Sequence, residues 1–181
     1  MRSFREDLER SVAFHGHLCS GQCLGVRMAH MGLRLLGLDN ETDRKKMMVF
    51  VECNRCPADA IMITTGCSLG KRTYYFLDLG KAAATFLNTE TGKAVRIRRK
   101  SHIHPADGED LIAFYENLPE EGWLEAAEVT VDLRPGDLPG PPVSIVACAQ
   151  CGEEVTDDRH VAVGGKTLCK ACAGEQYYRS R

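Results

Sequence analysis

The chain has 181 residues, 44% hydrophobic and 27% charged, and its 23 Lys and Arg against 25 Asp and Glu give a formal net charge of −2. That balance suits an ordinary folded globular protein and excludes wholesale disorder, or a basic coat for nucleic acid or acidic lipid. No apolar run approaches the roughly 20 residues that span a bilayer. The charged start, Met1-Arg2-Ser3-Phe4-Arg5-Glu6-Asp7, carries no secretory apolar segment, so a cytoplasmic, membrane-free protein is expected.

From the N-terminus, Ser3 and Glu6 form a capping-box pattern, and Phe4, Leu8 and Val12 then fall on one helical stripe. A break at His15-Gly16-His17-Leu18-Cys19-Ser20-Gly21 precedes a second helix on Leu24, Met28, Met31, Leu35 and Leu38. Residues 47–53 are a continuous apolar run suited to a buried strand. Pro57 opens a helix through Ile63, and residues 74–79 read as a strand. Residues 85–88 and 95–98 look like a hairpin around Thr89-Glu90-Thr91-Gly92. A helix over 109–118 and an alternating strand over 128–133 complete this part. Helices early and antiparallel strands late predict an α+β class, with helices packed on a mainly antiparallel sheet.

Residues 134–142 hold four of the seven prolines and read as a stiff, extended linker. The expected division is a core domain over 1–140 and a small module over 141–181. The nine cysteines divide in the same way: five lie before residue 68, four after residue 147, and none between. In a reducing compartment such clusters bind metal or do chemistry more often than they form disulfides.

In the C-terminal cluster, Cys148-x2-Cys151 and Cys169-x2-Cys172 are two pairs with zinc-ligand spacing. Iron is the alternative occupant of such a four-sulfur cage. Between the pairs, Gly164-Gly165 marks a hairpin turn, and a polar helix is expected over 170–179. Knuckle, hairpin and helix in that order resemble a treble-clef zinc finger. Structural bracing or a protein contact is its expected role, because Lys166, Lys170, Arg179 and Arg181 are too few for a nucleic-acid footprint.

In the core, two imidazoles and a thiol fall within five residues at His15-Gly16-His17-Leu18-Cys19, just before a helix start that favours a thiolate. Cys53-Asn54-Arg55-Cys56-Pro57 resembles the end of a ferredoxin cluster motif but lacks its preceding cysteines. Cys19, Cys23, Cys53 and Cys56 could still form a four-sulfur site. Gly66-Cys67-Ser68-Leu69-Gly70-Lys71 fails as a phosphate loop, because Arg72 stands where Ser or Thr is required. Lys71 could instead lower the pKa of Cys67 or hold an anion.

These segments together resemble the FmdE family, named for a component of formylmethanofuran dehydrogenase. The resemblance rests on the run from His15 to Gly21, on Cys56-Pro57-Ala58-Asp59-Ala60-Ile61, on Gly66 to Lys71, and on Asp78-Leu79-Gly80-Lys81-Ala82, in that order over about residues 5 to 100. Cys19-Ser20-Gly21 departs from the family's usual Cys-Pro-Gly, and Cys23 and Cys53 lie outside its pattern. The resemblance implies a homodimer with His17, Cys19, Cys56, Asp59 and Cys67 gathered at one cleft, and Lys71 close behind. It makes His17, Cys19 and Cys56 candidate ligands of a second, transition-metal site. It also implies an accessory role beside the subunits of a molybdenum or tungsten oxidoreductase in one-carbon (formyl or formate) metabolism related to methanogenesis. The alternative is a stand-alone enzyme using the Cys/His site on a small carbonyl substrate.

Overall fold

The computed structural model describes residues 1–179, so Arg181 lies outside the described residues. The chain divides into two compact units, Met1–Val131 and Asp132–Arg181. In the first, α1 (Phe4–His15), α2 (Ser20–Leu36), β1 (Met47–Val51), α3 (Cys56–Thr65), β2 (Tyr74–Phe76), β3 (Ala83–Asn88), β4 (Ala94–Arg99), α4 (Leu111–Asn117) and β5 (Leu124–Val129) follow one another. The strands form one sheet in the order β2-β1-β3-β4-β5, antiparallel throughout except for the β1/β2 pair. The class is therefore α+β with a mainly antiparallel sheet.

Each helix start has a local cause. Ser3 and Glu6 complete the capping box of α1, and the Asp110 side chain accepts from the amides of Ile112 and Ala113 to cap α4. Cys19 and Arg55, the N-caps of α2 and α3, make no side-chain cap bond. Those two helix starts face the site described below. The last strand lies four residues earlier than its alternating pattern suggests, at 124–129 instead of 128–133, because β5 pairs with β4 from Leu124↔Arg99 to Val129↔Ala94. Tertiary pairing overrides the local pattern there.

One face of the sheet packs against the helices. Val49, Val51, Ala84, Phe86, Val95 and Ile97 meet Val26, Met28, Leu33 and Ile61 in one continuous core. On strands of period two, Val51, Ala84 and Ile97 form a row across β1, β3 and β4. The next row on the same face holds Cys53, Ala82 and Arg99. That row floors the cavity.

The helix layer is held by very close contact between α2 and α3. A Cβ added to Gly25 would lie 2.5 Å from the Pro57 carbonyl oxygen and 2.6 Å from Ala60 Cβ. At Gly21 it would lie 2.7 Å from Cys56 Cβ. Gln22, fully buried, donates to the Cys56 carbonyl at 2.7 Å and pairs with the Ser11 hydroxyl, linking α1, α2 and α3.

A second lock is the buried carboxylate of Asp7, which receives Arg2 Nε at 2.5 Å, His30 Nε2 at 2.7 Å and Asn40 Nδ2 at 2.7 Å. Burial works to raise this carboxyl, but the bonds from His30 and Arg2 outweigh it and hold it below the usual carboxylate range.

The C-terminal unit contains β6 (Ile145–Ala147), β7 (Glu154–Thr156), β8 (Val161–Val163) and β9 (Lys166–Leu168), paired as two hairpins, and then a short helical turn at Ala171–Glu175. The helix expected over 170–179 is much shorter, because Gly174 turns to φ 110 and Gln176 is extended. The proline-rich segment is not extended throughout. Pro135–Asp137 forms a 3-10 turn closed by Arg134 and Asp137, and Arg159 bonds to the Gly136 carbonyl at 3.2 Å. These contacts draw the start of the segment into the second unit.

Two outcomes follow from this packing. Gly25→Ala should lower stability by roughly 1–3 kcal/mol, because the Pro57 carbonyl is backbone and must move, an overpacking cost that exceeds the helix-propensity gain of alanine. Urea unfolding of the two proteins checks it. Because its folded-state pKa is depressed, Asp7 contributes stability that is present above about pH 4 and is lost as pH falls through the folded value. Asp7→Asn should therefore be destabilised by about 3–5 kcal/mol at neutral pH and lose less further stability than wild type below pH 4. Unfolding curves at pH 7 and pH 3 read both effects.

Candidate metal and thiol site

The core site grows from the turn between α1 and α2. The last residue of α1, His15, is followed by Gly16 in the left-handed region at φ 92, whose amide donates to the Val12 carbonyl at 2.8 Å. A side chain is strained in that backbone region. The reversal brings the rings of His15 and His17 to 4.6 Å, centroid to centroid. One nitrogen of each imidazole and the sulfur of Cys19 all lie within 4.8 Å of one another.

His15 is oriented from behind. Its Nδ1 lies 2.7 Å from Asp59 Oδ2, on the first turn of α3. A carboxylate only accepts, so Nδ1 carries the proton, and Nε2 is the nitrogen left to act as a ligand. His15 Nε2 is buried and has no hydrogen-bond partner. An orphaned imidazole nitrogen beside a second histidine and a thiol, with a carboxylate on its far nitrogen, matches the donor set and outer support of a late transition-metal site.

Cys56, the first residue of α3, lines the same cavity as Cys19 and stays outside the 4.8 Å group. Burial pushes the Cys56 thiol up, and the neighbouring Cys19 pushes it the same way. Cys23 lies in the core, pushed up to about 12 by burial. Cys19, Cys23, Cys53 and Cys56 do not form a four-sulfur group among the described residues.

Cys67 stands apart. It is buried beneath β1, with its thiol 3.6 Å from the Met47 carbonyl, and it lines a separate depression with Arg10 and Arg44. Burial raises its thiol despite the opposing influence of the Thr65 and Thr73 hydroxyls and the charge of exposed Lys71. The expected gathering thus assembles His17, Cys19, Cys56 and Asp59, adds His15, and leaves Cys67 and Lys71 at another surface.

Beyond Cys19 and Cys56 opens a cavity of about 340 Å³, walled by Leu24, Ile103 and Trp123 and edged by Cys53, Arg55 and Arg99. Ile103, Trp123 and Arg99 belong to no sequence motif, and no local pattern announces the cavity. One signal was present: Cys53 and Arg99 continue the inward-facing alternation of β1 and β4 by one more step.

In the C-terminal unit the sulfurs of Cys148, Cys151, Cys169 and Cys172 lie within 4.8 Å of one another. The amide of Cys169 donates to Cys148 Sγ and that of Cys172 to Cys169 Sγ, both at 3.3 Å. Backbone donors bring the Cys148 thiol down to about 6, whereas the neighbouring Cys169 sulfur pushes Cys172 up to about 12. Four sulfurs that crowd one another while accepting amide bonds fit a divalent cation, and zinc suits an all-sulfur tetrahedral set.

Residues 14–129 match the family described as FmdE, molybdenum formylmethanofuran dehydrogenase operon. The chain belongs to the FmdE family. Residues 141–178 match the prokaryotic dksA/traR C4-type zinc finger, so the FmdE domain is followed by a zinc finger, and the cluster of Cys148, Cys151, Cys169 and Cys172 lies within it. A crystal structure of a tungsten formylmethanofuran dehydrogenase FmdE-like protein from Syntrophus aciditrophicus is similar at a TM-score of 0.63 and 25% identity, over 98% of this chain and 96% of that one. A protein of Archaeoglobus fulgidus named a probable S-adenosyl-L-methionine-binding protein is 32% identical over 94% of this chain and 53% of its own length. The chain thus spans about half the length of that curated relative. No helix among the described residues is long and apolar enough to cross a membrane.

Cys169→Ser should leave the zinc finger unable to close its sulfur cage, with a loss on the order of 10 kcal/mol of metal-coupled folding energy. Limited proteolysis should then cut within residues 143–179 while residues 1–131 persist. Equal protection of that segment in wild type and variant would refute zinc-dependent folding.

Proposed function

We propose that this FmdE-family chain is an accessory protein carrying two metals: structural zinc in the finger, and a transition metal held in the core by His15, His17 and Cys19. The observation that carries the core site is the buried, partnerless Nε2 of His15, whose Nδ1 is fixed on Asp59. When bound, such a metal supplies a Lewis-acid centre with room for an exogenous ligand beside three protein ligands. The chain's own residues orient His15 through Asp59, and set the Cys56 thiol with Cys19 at the wall of the cavity.

The link to formyl or formate metabolism is drawn from the family's name, as are the setting beside molybdenum- or tungsten-dependent oxidoreductase subunits and the connection to methanogenesis. A cytoplasmic homodimer is the assembly this reading adopts. A second reading, an enzyme acting by itself on a small carbonyl compound, is favoured by one feature: the cavity that opens directly beside Cys19 and Cys56.

Elemental analysis of anaerobically purified protein tests the metal reading. Two metals per chain are expected, falling to one in His15→Ala with the finger's zinc retained. Asp59→Asn should weaken the core metal about 10–100-fold, because the ligand loses its support while its donor atom remains. A single metal per chain in wild type, displaced only by Cys169→Ser, would refute the core site.

A further inference from the structure

The cavity beside the thiols has a charge pattern that the metal reading does not use. Arg55 and Arg99 line it, with His102 and His104, and none of its lining residues is acidic. Elsewhere in the same unit, Arg5, Arg27, Arg34, Arg96 and Arg98 each pair with a glutamate. Arg55 and Arg99 pair with no carboxylate among the described residues. The side-chain partner of Arg99 is His102 Nε2. A guanidinium only donates, so that nitrogen accepts and the contact brings no negative charge.

A second observation concerns a buried donor. The indole of Trp123, 1% exposed, lines the cavity, and its Nε1 has no hydrogen-bond partner. Leaving such a donor unmet costs about 1–3 kcal/mol. The Tyr115 hydroxyl is already spent on the Ile103 carbonyl at 2.8 Å. The charged groups at the cavity without a carboxylate partner are thus the guanidiniums of Arg55 and Arg99, both donors, set among the apolar walls of Leu24, Ile103 and Trp123.

We propose that this cavity binds a small organic carboxylate, its two oxygens on Arg99 and Arg55 and its apolar body against Leu24, Ile103 and Trp123. The guanidinium fork matches a carboxylate in geometry as well as charge. A volume of about 340 Å³ lies at the lower end of the roughly 300–1,000 Å³ found for small-molecule sites, and so selects short acids. The row of the sheet that supplies Arg99 also supplies Cys53, so the carboxylate end and the thiols share one floor. Recognition of the acid needs no metal at His15, His17 and Cys19.

Trp123 is the only tryptophan in the chain, so its fluorescence reports on the cavity directly. The full-length protein is titrated with butyrate and with uncharged butyramide, by fluorescence and by calorimetry. Butyrate is expected to saturate the signal, and butyramide to bind at least tenfold more weakly. Arg99→Gln should weaken butyrate at least tenfold, and Arg55→Gln, at an exposed position where folding is not at stake, severalfold. Arg98→Gln, on the opposite face of β4, should match wild type. Butyramide binding as tightly as butyrate, wild-type affinity in both Arg99→Gln and Arg55→Gln, or no saturable binding of C2–C5 carboxylates by either method would overturn the proposal. Each of these results leaves the metal count of wild type and His15→Ala untouched, so the two readings fail separately.

Discussion

The core site depends on how closely α2 and α3 approach. At Gly21 and Gly25 the helices are too near for even a methyl group, and the intruding partner at Gly25 is a backbone carbonyl. Because both helices begin at this contact, the residues at their N-termini, Cys19 and Cys56, come together without any long side chain reaching across. Gln22 fastens the arrangement, bonding to the carbonyl of Cys56 itself and, through Ser11, to α1. Since α1 ends in His15, one buried amide side chain fixes all three segments from which the site is built.

Cys19 is consequently a boundary residue. On one side lie His15 and His17, with Asp59 behind them; on the other lies the cavity with Arg55, Arg99 and Trp123. The first side offers a lone pair and a thiol, the second offers donors and cations. A ligand entering from the cavity would meet the sulfur of Cys19 before it met an imidazole. The polarity of the two sides is opposite, as it must be if one attracts a cation and the other an anion.

Much of this was legible in the sequence, and the remainder shows where sequence reasoning stops. The capping box, the zinc spacing and the clustering of His15, His17 and Cys19 are local signals, readable within a few residues. The approach of Cys56 and Asp59 to that cluster is implied only by family resemblance, since no local pattern says which helix faces which. Cys67 shows the converse: a glycine-flanked cysteine beside a lysine resembles an activated thiol, yet the fold buries it against the Met47 carbonyl, and desolvation outweighs the lysine's charge. Trp123 carries no signal of its own and Arg99 only the continued alternation of β4, because an arginine ending a strand and a tryptophan in a turn are ordinary in isolation. Only the pairing of β4 with β3 and β5 aligns Arg99 with Cys53 and Ala82 on one floor.

The two cysteine clusters also differ in what prepares them for a metal. In the finger, preparation comes from the backbone: amides of the ligand residues themselves donate to neighbouring sulfurs, one within the second cysteine pair and one across to the first, so the cage is specified within the small module. In the core, it comes from tertiary structure. The ring of His15 is held by a carboxylate 44 residues away, on a helix positioned by glycine contacts and a buried glutamine. A locally specified site can form as its module closes around the ion, coupling metal to folding. One that relies on distant helices must wait for the core to fold, and its affinity then follows any shift of α3 against α2.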